Sequence, residues 1–233
     1  MTAAAQPAGV STRRLVTRVL MGTLFILPLV FLSAGTWKYW QGWVYLGVNT
    51  AILIFMALMA ERNPALAEER LKPGEGMKRW DRWYFALSTP LYFLALIISG
   101  LDVGRFGWSA PLPFWTFLLG LATYLAGQGI FLWARFTNQF FSSVVRLQVE
   151  RGQTVCSDGP YRFVRHPGYV GGILFGLGTP LLLGSLCGLG PAIIAAGLLI
   201  WRTGMEDRTL QAELPGYLAF THQTRYRLLP GIW

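Results

Sequence analysis

Charge is what this sequence has least of. Only 13% of its 233 residues are Asp, Glu, Lys or Arg, against roughly a quarter in a soluble domain. A surface so poor in charge is not that of a water-soluble globule. Cysteine is scarce too: Cys156 and Cys187 form neither a disulfide framework nor a metal-ligand spacing. The two histidines, His166 and His222, lie far apart with no carboxylate–histidine spacing, so no metal centre is expected. No G-x-G-x-x-G run follows a strand-like segment, which removes the support for a Rossmann nucleotide site.

What the chain has instead is apolar length. It is 53% hydrophobic, with ten tryptophans and a mean hydropathy of +0.42. Runs of this kind read as transmembrane helices, and the expected fold is an all-α, polytopic integral membrane protein with about six spans. Residues 1–12 are small and polar and expected to be disordered. Residues 13–136 hold four spans: Val19–Ala34, behind Arg13, Arg14 and Arg18, then Gln41–Ala60, Trp83–Leu101 and Phe114–Phe136. The basic start reads as a retained first span rather than a cleaved signal. Asp102–Pro113 is expected to be a turn.

Residues 137–233 form the second unit. A long loop comes first, in which Val145–Val149 and Gln153–Cys156 are expected to pair as strands around Glu150-Arg151-Gly152. Two apolar segments follow, Gly168–Ser185 and Gly190–Trp201. An amphipathic C-terminal helix is broken at Leu214-Pro215-Gly216. Between the second and third spans, residues 61–82 carry a dense run of charge, with a short surface helix expected from Asn63-Pro64 to Leu71.

With six spans, only Lys38 and Arg105 of the 20 basic residues fall on the face opposite both termini. The positive-inside rule then makes the crowded face cytoplasmic. The net charge of +9 is thus a matter of topology, and a nucleic-acid partner is not expected. Gly168, Gly172 and Gly176 recur every fourth residue, and Gly190, Gly197 and Gly204 every seventh. Both sets are read as smooth stripes that pack the fifth span on the sixth.

The chemistry converges on Gly159–Tyr169, GPYRFVRHPGY. Pro167 fits only a first helical turn and pushes His166 out of the α region. The helix start offers unpaired N–H groups, and with Arg162 and Arg165 beside it the position is expected to seat a carboxylate or phosphate. One hairpin later stands Arg202-Thr-Gly-Met-Glu206-Asp207. Arg202 and Glu206 share a helix face, which on its own reads as an interfacial ion pair. The hairpin brings His166 and Tyr169 to the same membrane surface as Arg202, Glu206 and Asp207. A cleft with one basic and one acidic rim fits a zwitterionic ligand.

RHPGYVG preceded by GPY and followed by R-x-x-x-E-D resembles the membrane methyltransferases of the isoprenylcysteine carboxyl methyltransferase and phospholipid methyltransferase superfamily, over about residues 137–233. The NPALAEER run resembles bacterial members, which implies a bacterial inner membrane. Asp207 stands where the family usually has glutamate. The resemblance implies S-adenosyl-L-methionine as cofactor, bordered by Gln148 and by Gln153, Thr154, Val155 and Cys156. It implies that Tyr161, His166, Pro167, Gly168, Tyr169, Glu206 and Asp207 hold it. It makes Arg202, Glu206 and His166 the catalytic group, with Arg202 facing the acceptor. That acceptor is a lipid or lipophilic small molecule, an isoprenylcysteine-type carboxylate first, a phospholipid amine or a thiol otherwise. A carboxylate needs alignment alone; an amine must also lose a proton, for which His166 or Glu206 is the nearby base. Two other readings stay open: an NADPH-dependent sterol-type reductase, and a non-catalytic membrane protein. Against the first, Gly168 and Gly172 occupy positions where reductases of that kind carry polar residues. Against the second, the charges keep to the rim rather than to mid-membrane.

Overall fold

The computed structural model describes residues 12–62, 66 and 76–233. Apart from Leu66, the surface helix expected over 63–71 lies outside the described residues. So does the expected disordered start, except that Thr12 already opens the first helix. Among the described residues the fold is all-helical: α1 (Thr12–Ala34), α2 (Trp40–Arg62), α3 (Arg79–Gly100), α4 (Phe114–Thr137), α5 (Pro167–Leu182), α6 (Leu189–Glu213) and α7 (Tyr217–Gln223). Three helical stretches, Trp40–Arg62, Arg79–Phe106 and Phe114–Thr137, are long and apolar enough to cross a bilayer; Val19–Ala34 and Pro167–Leu182 are shorter apolar helices. Leu24, Phe25, Ile54, Phe55, Leu118, Leu125, Ile193 and Ile194 are exposed. Outward apolar side chains on this scale need lipid, not water, as their solvent. The chain is a polytopic integral membrane protein.

Three expectations change. Asp102–Phe106 is not a turn. It continues α3 as a π-helical turn, closed by Gly107 at φ 60°, the left-handed conformation that glycine takes without strain. Asp102 is buried there. It accepts from Ser109 N at 2.6 Å, Ser109 Oγ at 2.6 Å and Ser185 Oγ at 2.5 Å. The paired strands expected over 145–156 are absent among the described residues. Val149–Arg151 is one 3₁₀ turn, pinned where Gln148 N donates to Gln153 Oε1 at 2.7 Å. The polar loop satisfies its backbone through local turn bonds, Arg151 N to Gln148 O and Gly152 N to Val149 O at 3.0 Å each, and through side chains, rather than through a ladder.

The glycine stripes pack differently as well. A Cβ on Gly171 would lie 2.6 Å from the Gly127 carbonyl oxygen, and one on Gly127 2.4 Å from Phe175 N. One on Gly120 would lie 2.3 Å from Leu182 N. The close backbone approach therefore joins α4 to α5, through Gly120, Gly127, Gly171 and Gly178. Of the expected stripe on α5, Gly172 meets α6, at Leu199. Gly190 and Gly197 face open space and Gly204 faces Trp233. A period-four count identified the smooth helix but chose the wrong face of it.

Candidate active site

The helix start follows from the proline as expected. His166 takes φ −125° and ψ 60°, outside the α region, and Pro167 opens α5. α6 does not end with its apolar stretch at Trp201. It runs unbroken to Glu213 and carries Arg202, Glu206 and Asp207 past the apolar zone on a rigid stem. The last residues return across both. Arg165 N donates to Tyr226 O at 2.9 Å and His166 N to Arg227 O at 3.0 Å, so the C-terminal segment lies along the RH pair like a strap.

Glu206 and Asp207 are adjacent, and a helix turns about 100° per residue, so their carboxylates part. Asp207 is completely buried. Arg165 grips it with two bonds, Nε to Oδ1 at 2.8 Å and Nη2 to Oδ2 at 3.1 Å. Arg227 Nε and Gln211 Nε2 each donate to Oδ2 at 2.7 Å. Tyr217 Oη donates to Oδ1 at 3.1 Å, and His166 Nε2 lies 3.3 Å from the same oxygen. Burial opposes ionisation of Asp207, but these bonds outweigh it and hold the carboxyl well below the usual carboxylate range. The same surroundings push the Tyr217 hydroxyl up, through burial first and the neighbouring carboxylates second.

Glu206 points the other way, into a cleft. Tyr169 Oη donates to Glu206 Oε2, and the Tyr169 ring stacks on His166 at 5.6 Å between centroids. The cleft encloses about 740 Å³, its open mouth included. Of the residues named from sequence, Gln153, Thr154, Val155, Cys156, Tyr161, His166, Gly168, Tyr169 and Glu206 line it. Burial raises the Cys156 thiol pKa. Gln148, Pro167 and Asp207 are one layer behind. Gln148 braces the wall by donating from Nε2 to Phe140 O at 2.7 Å.

The arginines go elsewhere than expected. Arg162 pairs with Asp158 at 3.3 Å on the surface, and Arg165 is committed to Asp207 and to the carbonyls of Thr224 and Arg225. Arg202 is not part of the lining. Its Nε lies 2.8 Å from Asp81 Oδ1, and its Nη2 donates to Asp81 Oδ2 at 3.1 Å and to Ser143 O at 2.7 Å. The arginines that do line the cleft are Arg146 and Arg165.

Sequence reasoning missed Asp81, Phe140, Phe141, Arg146 and the α7 wall at Tyr217 and Phe220. The one available signal was Asp81, an acid set among aromatics in RWDRWYF rather than among the loop charges. Chemically, the cleft offers one reachable carboxylate, a histidine edge and a wall of aromatic rings. Those suit a cationic, amphipathic guest. No group of three or more metal-ligating side chains occurs among the described residues.

Residues 119–212 match the isoprenylcysteine carboxyl methyltransferase (ICMT) family. Over 94 residues the chain is 34% identical to the protein-S-isoprenylcysteine O-methyltransferase of Schizosaccharomyces pombe, a stretch making 40% of this chain and 38% of that protein. Over 102 residues it is 31% identical to the human protein of the same name, covering 43% of this chain and 34% of the relative. The chain thus spans little more than a third of the length of the curated relatives it matches.

Proposed function

Because residues 119–212 match the ICMT family, we propose that this integral membrane protein is an S-adenosyl-L-methionine-dependent methyltransferase acting on a lipophilic acceptor. The observation that carries the reading is Glu206, which is held by Tyr169 beside His166 and is the acid that borders the cleft. The residues present fit the cofactor. Glu206 matches an ammonium group, the start of α5 matches a carboxylate, and Phe140, Phe141, Tyr161 and Tyr169 can flank a sulfonium. When bound, S-adenosyl-L-methionine supplies an electrophilic methyl group.

The chain's own part is to bind, align and dry. Tyr169 fixes the Glu206 carboxylate. His166 is fixed in turn by Asp207 and Tyr217, the latter with Oη 3.4 Å from Nε2. Apolar side chains of Val144, Val145, Leu210, Leu214 and Phe220 exclude water from the lining. A low-dielectric wall favours reaction between a cation and an anion over keeping them apart. Arg146 lies in that wall beside exposed Glu150, 3.3 Å away. It is placed to attract an anionic acceptor, for which an isoprenylcysteine-type carboxylate is the first choice, ahead of a phospholipid amine or a thiol. Arg202 acts from behind, through Tyr169. The site faces the cytoplasm of a bacterial inner membrane, the side that collects the basic residues.

Purified full-length protein in lipid nanodiscs tests the reading. Titration calorimetry should show S-adenosyl-L-methionine binding that falls at least about 100-fold in Glu206→Gln, since a charged partner is lost in a desolvated site. Labelled methyl transfer should favour farnesylcysteine over a total lipid extract. A wild-type protein whose melting temperature rises with NADPH and not with the methyl donor would end the proposal.

A further inference from the structure

Asp81 lies outside the family-matched segment and outside the cleft lining, yet it is completely buried at the start of α3. Asp81 Oδ1 and Arg202 Nε form an ion pair at 2.8 Å, and neither atom has a hydrogen-bond partner among the described residues. A buried pair of this kind costs desolvation and stabilises little against an apolar substitute. Its geometry has to be explained by what it holds in place.

Two arms leave it. In the first, Arg202 carries the Tyr84 ring at 4.4 Å, the Phe85 ring at 4.9 Å and the Tyr169 ring at 5.3 Å, and Tyr169 donates to Glu206. In the second, Val145 N donates to Asp81 Oδ2 at 2.7 Å, Lys78 N to Val145 O at 3.1 Å and Arg202 Nη2 to Ser143 O at 2.7 Å. Ser142, Val144 and Val145 form one wall of the cleft, and Tyr169 and Glu206 form another.

We infer that Asp81 is a positioning residue for the cleft, setting the Tyr169–Glu206 wall through Arg202 and the 142–145 wall through Val145. The inference rests on the methyl-transfer reading for what the cleft binds, but not for its shape. It makes the N-terminal half of the chain a working part of the site rather than a membrane anchor for it.

The far end of the same helical stretch supplies the control. Asp102 is equally buried and hydrogen-bonded, about 30 Å away along the axis, and touches nothing in the cleft. Asp81→Asn and Asp102→Asn should both lower the melting temperature of the full chain in nanodiscs. Only Asp81→Asn should weaken S-adenosyl-L-methionine binding, by roughly tenfold, and raise KM for the donor more than it lowers kcat. Maleimide labelling gives a readout that needs no donor. Cys156 lines the cleft, and Cys187 is exposed elsewhere. Asp81→Asn should speed modification of Cys156 relative to Cys187 by roughly fivefold, as a loosened wall opens.

If Asp81→Asn does not fold, Asp81→Glu keeps the charge and shifts the guanidinium by one methylene, and the same comparisons apply. Equal loss of donor affinity in the Asp81 and Asp102 variants, or an unchanged Cys156 rate in the Asp81 variant, overturns the inference. A wild-type protein that binds no donor overturns the proposed function instead, and the Cys156 rates still decide the role of Asp81.

Discussion

Glu206 and Asp207 show how far one peptide unit can separate two identical charges. One is fixed by a single tyrosine at the cleft; the other is surrounded by Arg165, Arg227, Gln211, Tyr217 and His166. Asp207→Asn should cost about 3 kcal/mol, because it leaves two guanidinium groups facing a neutral amide. The sign of its pH dependence follows from a folded pKa held below the unfolded one. The contribution is complete above the unfolded value of about 3.9 and is lost as acid takes the pH below it. The gap in melting temperature between wild type and Asp207→Asn should therefore narrow below about pH 4. A gap that stays as wide at pH about 3 as at pH about 5 would remove Asp207 from the acid-sensitive network. His166, by contrast, was placed correctly from the next residue alone. The proline ring dictates the backbone on either side of it, and no tertiary contact is needed for that.

At the scale of elements, α4 and α5 are welded by backbone contact. Gly171→Ala puts a methyl group within 2.6 Å of the Gly127 carbonyl oxygen, whereas Gly197→Ala meets nothing within 4 Å. The first should destabilise by about 1–3 kcal/mol. The second should be neutral or stabilise by up to about 0.5–1 kcal/mol, since alanine is the better helix former. Thermal melts of the two variants in one detergent check the pair. Equal effects would mean that the α4–α5 seam is not where the helices touch. The spans themselves were legible because an apolar run of bilayer length has few other fates. The face each helix uses was not, since Gly171 and Gly172 are neighbours in sequence and only the partner helix chooses between them.

For the whole molecule, the two ends differ in kind. One end gathers the start of α3, the end of α4, the hairpin of α5 and α6 and the C-terminal strap. Lys78, just ahead of α3, and Glu213 of α6 pair there at 2.6 Å. The other end is closed by the Asp102 cluster and by Arg105, whose Nε donates to Ser33 O at 2.8 Å. A cytoplasmic site puts exposed Cys187 on the outer face. A membrane-impermeant maleimide should label Cys187 on intact spheroplasts and leave Cys156 until the membrane is opened. Labelling of Cys156 first would invert the orientation.

The sequence alone determined that this chain belongs in a bilayer, that its apolar runs form helices, and that His166 and an acid of the Glu206-Asp207 pair come together. Those follow from solvent: apolar runs, a proline and the distribution of charge need no neighbour to take effect. Tertiary structure decided which acid borders the cleft, that Arg202 answers to Asp81 rather than to Glu206, and that the last residues strap the histidine in place. A side chain's partner is set by which helix faces it across space, and that register is not written in the spacing of any one segment.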